Sequence, residues 1–519
     1  MGIYTINLGG TLTRTAARYP DRTVFVSHEG DRLTYCQLDR LSERFASALL
    51  RMGFRKGDHI AILSLNCNEQ MIAFFGIFKM GGVVVPINAR LAAPEMKWVI
   101  DHSDAVALIF SKEFEERVKE LGPELEGVRS MVMLDQGGRE GTLAFQELLE
   151  KGAEGDPLVD VFGDDMAFLV YTAGTTGKPK GVLLTHNSCI WNCINWAYTQ
   201  TFREGDYCLQ VFPLYHVAAI GNILTYVYLG GSIYLKRTFD PRDCMETIER
   251  ERITRWAAAP TVFNMLLQLP NLEKYDSSSL TLLGSGAAIM PVETRRRLRD
   301  IFSKAWMFDN YGMTEAAGGI TTLTPLDSQR KEASVGTPLI AVEMRVVDEN
   351  DSEVATGQVG EVVFRGNNLM KGYYKDPDAT REAMRNGWMH TGDLGRLDEE
   401  GFLYIVDRKK DMIITGAENV YPREVEEVLY AHSKIAEAAV IGIPDPKWGE
   451  AITAVVVLNS GAEASQEEII DFCRGKIAGF KCPKSVKFLE ELPKNAAGKI
   501  LKRVLRERYQ KTDYGIDDC

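Results

Sequence analysis

The sequence predicts an α/β protein, built from a large N-terminal domain of parallel-rich sheets covered by helices, a small β unit, and a smaller α+β C-terminal domain. Three observations lead to this fold class. The chain has 519 residues, more than the roughly 250–300 residues that one core serves. Strand-like and helix-like patterns alternate through most of its length, which is typical of parallel sheets covered by helices. After about residue 330 the pattern changes to short, alternating strands.

The N-terminal alternation is regular enough to assign. Apolar residues recur at helical spacing over 38–52, and a strand pattern follows at 59–64. A second helix is predicted over 69–80, and a buried strand over 83–86. This β-then-α order predicts a parallel sheet, since parallel neighbours need a crossover connection.

The later part of the chain is predicted to contain two smaller units. Alternating strands at 342–347 and 360–365, with a hairpin turn at 398–401, indicate an antiparallel β unit. Beyond it, a helix begins near Pro422. The remaining predicted elements are strands at 438–443, 451–458 and 485–492 and helices at 466–477 and 500–509. The main boundary is placed at the charged segment 407–411, dividing the chain into domains 1–407 and 408–519.

Composition excludes several classes of function. The net charge of −12 argues against a nucleic-acid partner, because binding nucleic acid requires a positively charged surface. It also argues against strong attachment to anionic lipid. The N-terminus lacks the apolar core of a signal peptide, and no apolar run is long enough to span a bilayer. Cys189 and Cys193, one helical turn apart, are interpreted as small apolar residues in a reducing compartment. The expected location is cytoplasmic.

The strongest local motif is a buried strand that runs into a loop rich in glycine, threonine and lysine at 166–182. Glycines let backbone N–H groups turn towards an anion, and hydroxyl and ammonium groups add donors. It is not a Walker A loop, because Pro179 stands where a Ser or Thr is needed. A flexible surface loop is the alternative. The predicted phosphate ligands are Thr172, Gly174, Thr175, Thr176, Gly177, Lys178 and Lys180.

Six further motifs follow in order, and together with this loop they resemble the adenylate-forming superfamily of acyl-CoA synthetases, firefly-luciferase-like enzymes and peptide-synthetase adenylation domains. They are Pro213-Leu-Tyr-His-Val, Gly284-Ser-Gly-Ala-Ala, Tyr311-Gly-Met-Thr-Glu, Thr391-Gly-Asp, Asp407-Arg-Lys-Lys-Asp and Asn495-Ala-Ala-Gly-Lys. The resemblance covers residues 166–503 and is greatest to bacterial fatty-acyl-CoA synthetases. It also implies that the C-terminal domain is mobile.

The resemblance assigns the nucleotide and metal ligands. Tyr311 would stack on adenine, Thr314 would contact phosphate, and Glu315 would hold Mg²⁺, a cation that prefers oxygen ligands. Asp393 and Arg408 would bind the ribose, although an Asp after Gly is more often a turn former. Further nucleotide-binding positions are Gly284, Gly286, Ala287, Asn310 and Gly312.

The resemblance also assigns the groups that act on the acid and on the thiol. Lys499 would stabilise the negative charge that develops when a carboxylate attacks the α-phosphate. The catalytic residues are Lys499, Thr314, Glu315 and His216. For His216 the expected role is to form a wall of the acyl pocket. A buried histidine with its hydrogen bonds satisfied and no catalytic role is an equal alternative. The C-terminal domain would rotate near Lys410 between steps, bringing Gly416 to a channel for coenzyme A. An alternative interpretation, that Gly416 is an ordinary hairpin glycine, remains open.

The implied reaction is that of an AMP-forming acid–CoA ligase that uses ATP, Mg²⁺ and coenzyme A. Small, apolar segments such as 217–220 and 316–319 favour a medium- or long-chain fatty acid as the partner. An aromatic or alicyclic acid is the alternative substrate, and a stand-alone adenylation enzyme that loads a carrier protein is the alternative class, followed by a luciferase-like oxygenase and a non-catalytic binder. The oligomeric state is not fixed by the sequence. Transient membrane contact stays open, because fatty acids partition into bilayers.

Overall fold

The computed structural model describes residues 6–135, 141–155, 159–172, 179–415, 418–445, 447–495 and 498–512. Its helices are α1 Leu8–Arg18, α2 Tyr35–Arg51, α3 Asn68–Lys79, α4 Ala93–His102, α5 Glu115–Leu121, α6 Phe145–Lys151, α7 His186–Thr199, α8 Val217–Leu229, α9 Pro241–Glu251, α10 Pro260–Leu266, α11 Val292–Ile301, α12 Pro377–Ala383, α13 Pro422–Tyr430, α14 Gln466–Arg474 and α15 Lys502–Thr512. The predicted N-terminal helices correspond to α2 and α3.

The strands alternate with these helices up to β14 and then follow one another closely. They are β1 Thr23–Val26, β2 Arg32–Thr34, β3 His59–Leu63, β4 Val83–Pro86, β5 Ala105–Phe110, β6 Ser130–Met133, β7 Leu143–Ala144, β8 Met166–Thr172, β9 Lys180–Thr185, β10 Tyr207–Gln210, β11 Ser232–Leu235, β12 Arg255–Ala258, β13 Leu282–Ser285, β14 Trp306–Tyr311, β15 Thr321–Leu323, β16 Thr337–Pro338, β17 Val342–Val347, β18 Gly360–Gly366, β19 Gly372–Tyr373, β20 Met384–Arg385, β21 Trp388–Leu397, β22 Leu403–Arg408, β23 Ile413–Thr415, β24 Glu418–Val420, β25 Ile435–Asp445, β26 Gly449–Leu458 and β27 Ser485–Phe488.

Two large, mostly parallel sheets form the main body. The first has the order β16-β15-β14-β13-β12-β10-β11-β1-β2, and the second has the order β19-β9-β8-β4-β3-β5-β6-β7. In the first, the run from β14 to β1 is parallel and antiparallel strands close both edges. One hydrophobic cluster joins residues from both sheets to α1, α2, α3, α7 and α8. The expected parallel-rich sheets with helical cover are therefore confirmed.

Local sequence explains why the central helices form where they do. Thr34 caps α2 in a reciprocal box with Gln37, a device that satisfies two free N–H groups. Every residue of α3 except Glu69 is buried, which is the pattern of a helix surrounded by protein. The α8 helix ends at Gly230 in the left-handed conformation, a common stop signal.

The later strands form two smaller sheets. An antiparallel sheet of order β17-β18-β21-β20, with β22 on β21, is the predicted β unit. The C-terminal sheet has the order β24-β23-β26-β25, with β27 beside β26. It is covered by α13 and α14, and the core cluster between them contains residues from Ile413 to Val486. The predicted strand at 485–492 ends earlier, at Phe488, and the last helix begins at Lys502 rather than at residue 500.

The charged segment after β22 marks the predicted domain boundary. Arg408 is the last residue of β22 and pairs with Asp393 of β21, and a turn follows at 409–411. The division at 407/408 remains a prediction. Among the described helices, none combines the length and apolar character that crossing a bilayer requires.

Gly336 offers a test of how tightly the edge of the first sheet is packed. Its φ is +92°, and a Cβ at this position would overlap the carbonyl group of Thr322. Gly336→Ala should lower the free energy of unfolding by about 1–2 kcal/mol through left-handed backbone strain. Overpacking should lower it further, by about 1–3 kcal/mol. Thermal unfolding midpoints measure the loss.

Gly357→Ala is the matched control for Gly336→Ala. Gly357 has a φ of +84°, and no described atom lies within 4 Å of a Cβ placed there. This variant should show the backbone strain alone. Equal losses of stability in the two variants would contradict the packing argument.

Candidate functional site

The carboxylate of Asp393 connects three elements at the edge of the main body. The Tyr311 hydroxyl, at the end of β14, donates to Asp393 Oδ2 at 2.8 Å. The Arg408 guanidinium, at the end of β22, lies 3.4 Å from Asp393 Oδ1. The Asp393 backbone N–H donates to the Thr391 hydroxyl at 3.0 Å. Three of the residues predicted to hold a nucleoside are therefore in direct contact.

The glycine-rich strand end at β13 lies next to Tyr311. A Cβ on Gly284 would overlap the ring of Phe308 on β14, so the close approach of these two strands requires glycine. Ala287 adopts a φ of +65°. Asn310 accepts a hydrogen bond from Thr322 at 2.7 Å. The end of β13 is therefore packed closely against β14, the strand that ends at Tyr311.

Glu315 lies in a short 3-10 turn, Thr314–Ala316, directly after β14. Its side chain is buried, and the Tyr373 hydroxyl donates to its Oε1 at 2.7 Å. Its backbone carbonyl accepts from the Met370 N–H at 2.7 Å. Burial raises the pKa of Glu315, while the Tyr373 hydrogen bond and the positive charges of Arg408 and Lys180 oppose that rise.

The two ends of the predicted phosphate loop are held together by strand pairing. Thr172 ends β8, Lys180 begins β9, and these two residues are antiparallel partners. The Lys180 ammonium lies 4.9 Å from the centre of the Tyr373 ring. The loop between them, with the predicted ligands Gly174, Thr175, Thr176, Gly177 and Lys178, lies outside the described residues, as does Gly416.

Lys499 reaches the large sheets from the C-terminal part of the chain. Its N–H donates to the Asn495 side chain at 2.9 Å, and Gly498 lies against Thr261 at the start of α10. Burial, with a further contribution from Arg408, lowers the pKa of the Lys499 ammonium to about 7. Asp393 and Asp411 act in the opposite direction. The structure thus brings Lys499 into the charged cluster around Asp393.

His216 is a neutral residue at the start of α8. Its Nδ1 accepts a hydrogen bond from the Ala218 N–H at 3.2 Å, and its ring stacks on Phe212 with 6.0 Å between centroids. Burial lowers its pKa to about 4, and the positive charge of Lys499 adds to this effect. With Nδ1 engaged and the pKa lowered, this imidazole is a weak base, and its role as a wall of an acyl pocket stays a prediction.

Two supporting residues were missed by reasoning from motifs. Asn66 donates to the Phe212 carbonyl at 3.1 Å and accepts from the Leu214 N–H at 3.0 Å, so it fixes the segment that leads to His216. Tyr373 bonds Glu315 from a distant part of the chain. Neither residue lies in the motifs named above, and only their contacts in the folded chain identify them.

The turn after Arg408 is the remaining predicted position of interest. Burial and the nearby positive charge of Arg408 lower the pKa of Lys410. Asp407, just before the turn, accepts from the Arg423 N–H at 3.0 Å, which ties the end of β22 to the start of α13. Ionic groups therefore concentrate where the chain passes from one sheet to the next.

Comparison with known proteins identifies the class. The family model described as "AMP-binding enzyme" matches residues 12–374, and that described as "AMP-binding enzyme C-terminal domain" matches residues 424–499. The chain belongs to the AMP-binding enzyme family, and the resemblance drawn from the motifs is confirmed.

Its relatives are CoA ligases along their full length. A long-chain-fatty-acid–CoA ligase of Mycobacterium tuberculosis is 37% identical over 513 residues, which are 98% of this chain and 99% of that protein. A feruloyl-CoA synthase of Amycolatopsis is 37% identical over 504 residues, 97% of this chain and 99% of the relative. A crystal structure of an anthranilate CoA ligase with anthranoyl-AMP covers 99% of both chains, at 26% identity and a TM-score of 0.94.

The lowered pKa of Lys499 predicts that ATP binding takes up a proton. With a pKa of about 7, Lys499 is mostly neutral at about pH 8, and a bound triphosphate favours its charged form. Binding of a non-hydrolysable ATP analogue at that pH should therefore take up as much as about one proton. At about pH 6 Lys499 is already charged, and uptake should nearly vanish. Calorimetry in buffers of different ionisation enthalpy measures the proton number.

Lys494→Met is the matched control for this measurement. Lys494 lies in the same loop, and its ammonium bonds Glu437 at 2.6 Å. The Lys494→Met variant should still take up a proton on binding the ATP analogue at about pH 8, whereas the Lys499→Met variant should not. An unchanged proton number in Lys499→Met would refute the assignment.

Proposed function

We propose that the protein is an AMP-forming acid–CoA ligase, which converts ATP, a carboxylic acid and coenzyme A into acyl-CoA, AMP and diphosphate through an acyl-adenylate. Membership of the AMP-binding enzyme family supports the adenylation step. The full-length similarity to CoA ligases supports the thiol as the second acceptor.

The observation that carries the proposal is the position of Lys499. Lys499, from the C-terminal unit, is close enough to Asp393 of β21, Arg408 at the end of β22 and His216 at the start of α8 for their charges to influence one another. In adenylation two anions must meet, and negative charge accumulates on the α-phosphate. A pre-placed ammonium lowers that cost, and the partly buried position of Lys499 strengthens its effect.

The remaining residues bind and orient the nucleotide in this proposal. The Asp393 carboxylate accepts hydrogen bonds from the ribose hydroxyls, with Arg408 beside it, and Tyr311 stacks on adenine. The floor beside the base is formed by Gly284, Gly286, Ala287, Asn310 and Gly312. Thr172, Lys180 and Thr314 bind the phosphates, together with the predicted ligands of the loop 173–178.

Glu315 fits a magnesium ligand. Its carboxylate supplies hard oxygen donors, and its environment holds the positive charges of Lys180 and Arg408, the same charges that would accompany a bound triphosphate. When bound, Mg²⁺ would neutralise phosphate charge. Glu315 holds the ion, while Lys180 and Lys499 supply the protein's own positive charge.

The second step needs a different arrangement around the same reaction centre. We infer that the units 1–407 and 408–519 move relative to one another at the turn that contains Lys410, as hinges are short segments that absorb dihedral change. This motion withdraws Lys499 and brings the segment around Gly416 to the site, where coenzyme A attacks the acyl-adenylate. His216 remains as a wall of the acyl pocket.

A medium- or long-chain fatty acid is the proposed substrate. The similarity to the long-chain-fatty-acid–CoA ligase supports it, as do the small residues that flank the site at 217–220 and 316–319. A wholly apolar tail suits a lining of apolar side chains of this kind.

A specific observation favours an aromatic acid with a polar substituent as the second candidate. Asn192 of α7 packs against Gly221 of α8 and against Gly318 and Gly319 after Glu315. Its amide nitrogen and oxygen are both buried and, within the described part of the chain, have no hydrogen-bond partner. A ring hydroxyl or carbonyl would satisfy them, since unpartnered buried amides are costly. The feruloyl-CoA synthase among the relatives supports this candidate.

The proposed location is cytoplasmic. All cysteines in the described ranges are free thiols, as expected in a reducing compartment, where ATP and coenzyme A are available.

One screen tests the reaction and separates the substrates. AMP release is measured with a panel of carboxylic acids that differ in chain length, ring content and ring substitution, with and without coenzyme A. A ligase releases AMP only when both acid and coenzyme A are present. Acid-dependent exchange of diphosphate into ATP without any effect of coenzyme A would instead indicate a carrier-loading enzyme.

Lys499→Ala should impair the two half-reactions unequally. We expect adenylation to fall by about a hundredfold or more, because the ammonium acts on the first transition state. Thioester formation from supplied acyl-adenylate should survive. Separate assays of diphosphate exchange and of thioester formation distinguish these effects, and an equal loss in both would remove the proposed role of Lys499.

A further inference from the structure

We propose that Tyr373 is a positioning residue of the phosphate and cation site, in which its hydroxyl orients the Glu315 carboxylate and its ring restrains Lys180. This inference rests on the proposed function, because it assigns a task to a side chain that supports the nucleotide site. It predicts that one tyrosine couples the residue that would bind the cation to the lysine that would bind the phosphates.

The first element is the hydrogen bond to the carboxylate. The Tyr373 hydroxyl donates to Glu315 Oε1 at 2.7 Å, within the range of a charge-assisted bond. Glu315 is 7% exposed, so water competes little for this oxygen. With Oε1 engaged, the plane of the carboxylate is fixed, and we assign Oε2 to the cation.

The second element is the backbone, which leaves Tyr373 little freedom. We call residues 370–374 the tyrosine strap. At one end of the strap the Met370 N–H donates to the Glu315 carbonyl at 2.7 Å. Further along, Gly372 and Tyr373 pair with Leu183 and Val182 of β9. The strap therefore connects the turn that carries Glu315 to the strand that Lys180 begins.

The third element is the contact between the Tyr373 ring and Lys180. The ammonium lies 4.9 Å from the ring centroid, a distance at which a cation is attracted to the face of an aromatic ring. Lys180 has a long, flexible side chain, and ordering it in advance lowers the entropic cost of binding an anion. The hydroxyl and the ring of Tyr373 thus act on two different partners.

The neighbouring tyrosine provides a matched control. Tyr374 follows Tyr373 directly, but its hydroxyl donates to Asp104 at 2.6 Å, in an exposed position. Removing its hydroxyl deletes a tyrosine–carboxylate bond of the same kind, in the same strap, away from Glu315. The two tyrosines therefore separate an effect on the site from a general effect on the strap.

The test measures nucleotide binding without turnover. Calorimetric titrations with ATP are performed with Mg²⁺ and, separately, with EDTA, in the absence of acid. For Tyr373→Phe, the affinity for MgATP should fall about ten- to a hundredfold, while the affinity for metal-free ATP stays within about twofold of the parent. Tyr373→Leu also removes the ring, so it should lower the affinity for metal-free ATP as well. Tyr374→Phe should leave both affinities unchanged.

A double variant and a stability measurement complete the design. In a Glu315→Gln background, adding Tyr373→Phe should cause no further loss of MgATP affinity, because the two residues act through one interaction. Thermal unfolding midpoints should show that both variants are folded at the titration temperature, with Tyr373→Phe the less stable of the two because its lost hydrogen bond is buried. Equal loss of MgATP and metal-free ATP affinity in Tyr373→Phe, or an affinity like the parent's, would overturn the inference. A parent protein that fails to bind MgATP would instead refute the proposed function.

Discussion

The carboxylate of Asp393 is the contact on which the arrangement of the site depends. It accepts from Tyr311 at the end of a parallel strand and faces Arg408 at the end of an antiparallel strand. One side chain therefore connects the first large sheet, the small β unit and the start of the C-terminal segment. Because its partners come from separate sheets, the relative placement of those sheets and the geometry of the site are determined together.

The parts of the fold that the sequence predicts are those with strong local signals. Helix α3 and strand β4 are recognisable because runs of apolar residues end at glycine and proline. The 485–492 strand was predicted too long, because the alternation continues past Phe488 although pairing with β26 stops there. Sheet order is decided by long-range pairing, such as β8 between β4 and β9, and single-sequence patterns do not encode it.

The same distinction holds for the site. Tyr311, Asp393 and Lys499 were identified because each lies in a compact motif, and their roles remain predictions. Tyr373 and Asn66 were not identified, because each acts through one hydrogen bond to a residue far away in the sequence. Supporting residues of this kind contribute by position rather than by reactivity, so a motif search passes over them.

The pairing of Arg408 with Asp393 has a consequence for the order of events in catalysis. Arg408 precedes Lys410, so in the proposed rotation about Lys410 this pair would stay intact, whereas Lys499 would be carried away from a bound nucleotide. In this proposal the residues that hold the acyl-adenylate lie before Lys410, and the lysine that assists its formation lies after it. Withdrawal of Lys499 would slow the reverse reaction, in which diphosphate attacks the adenylate. The adenylate would still be bound when the thiol arrives.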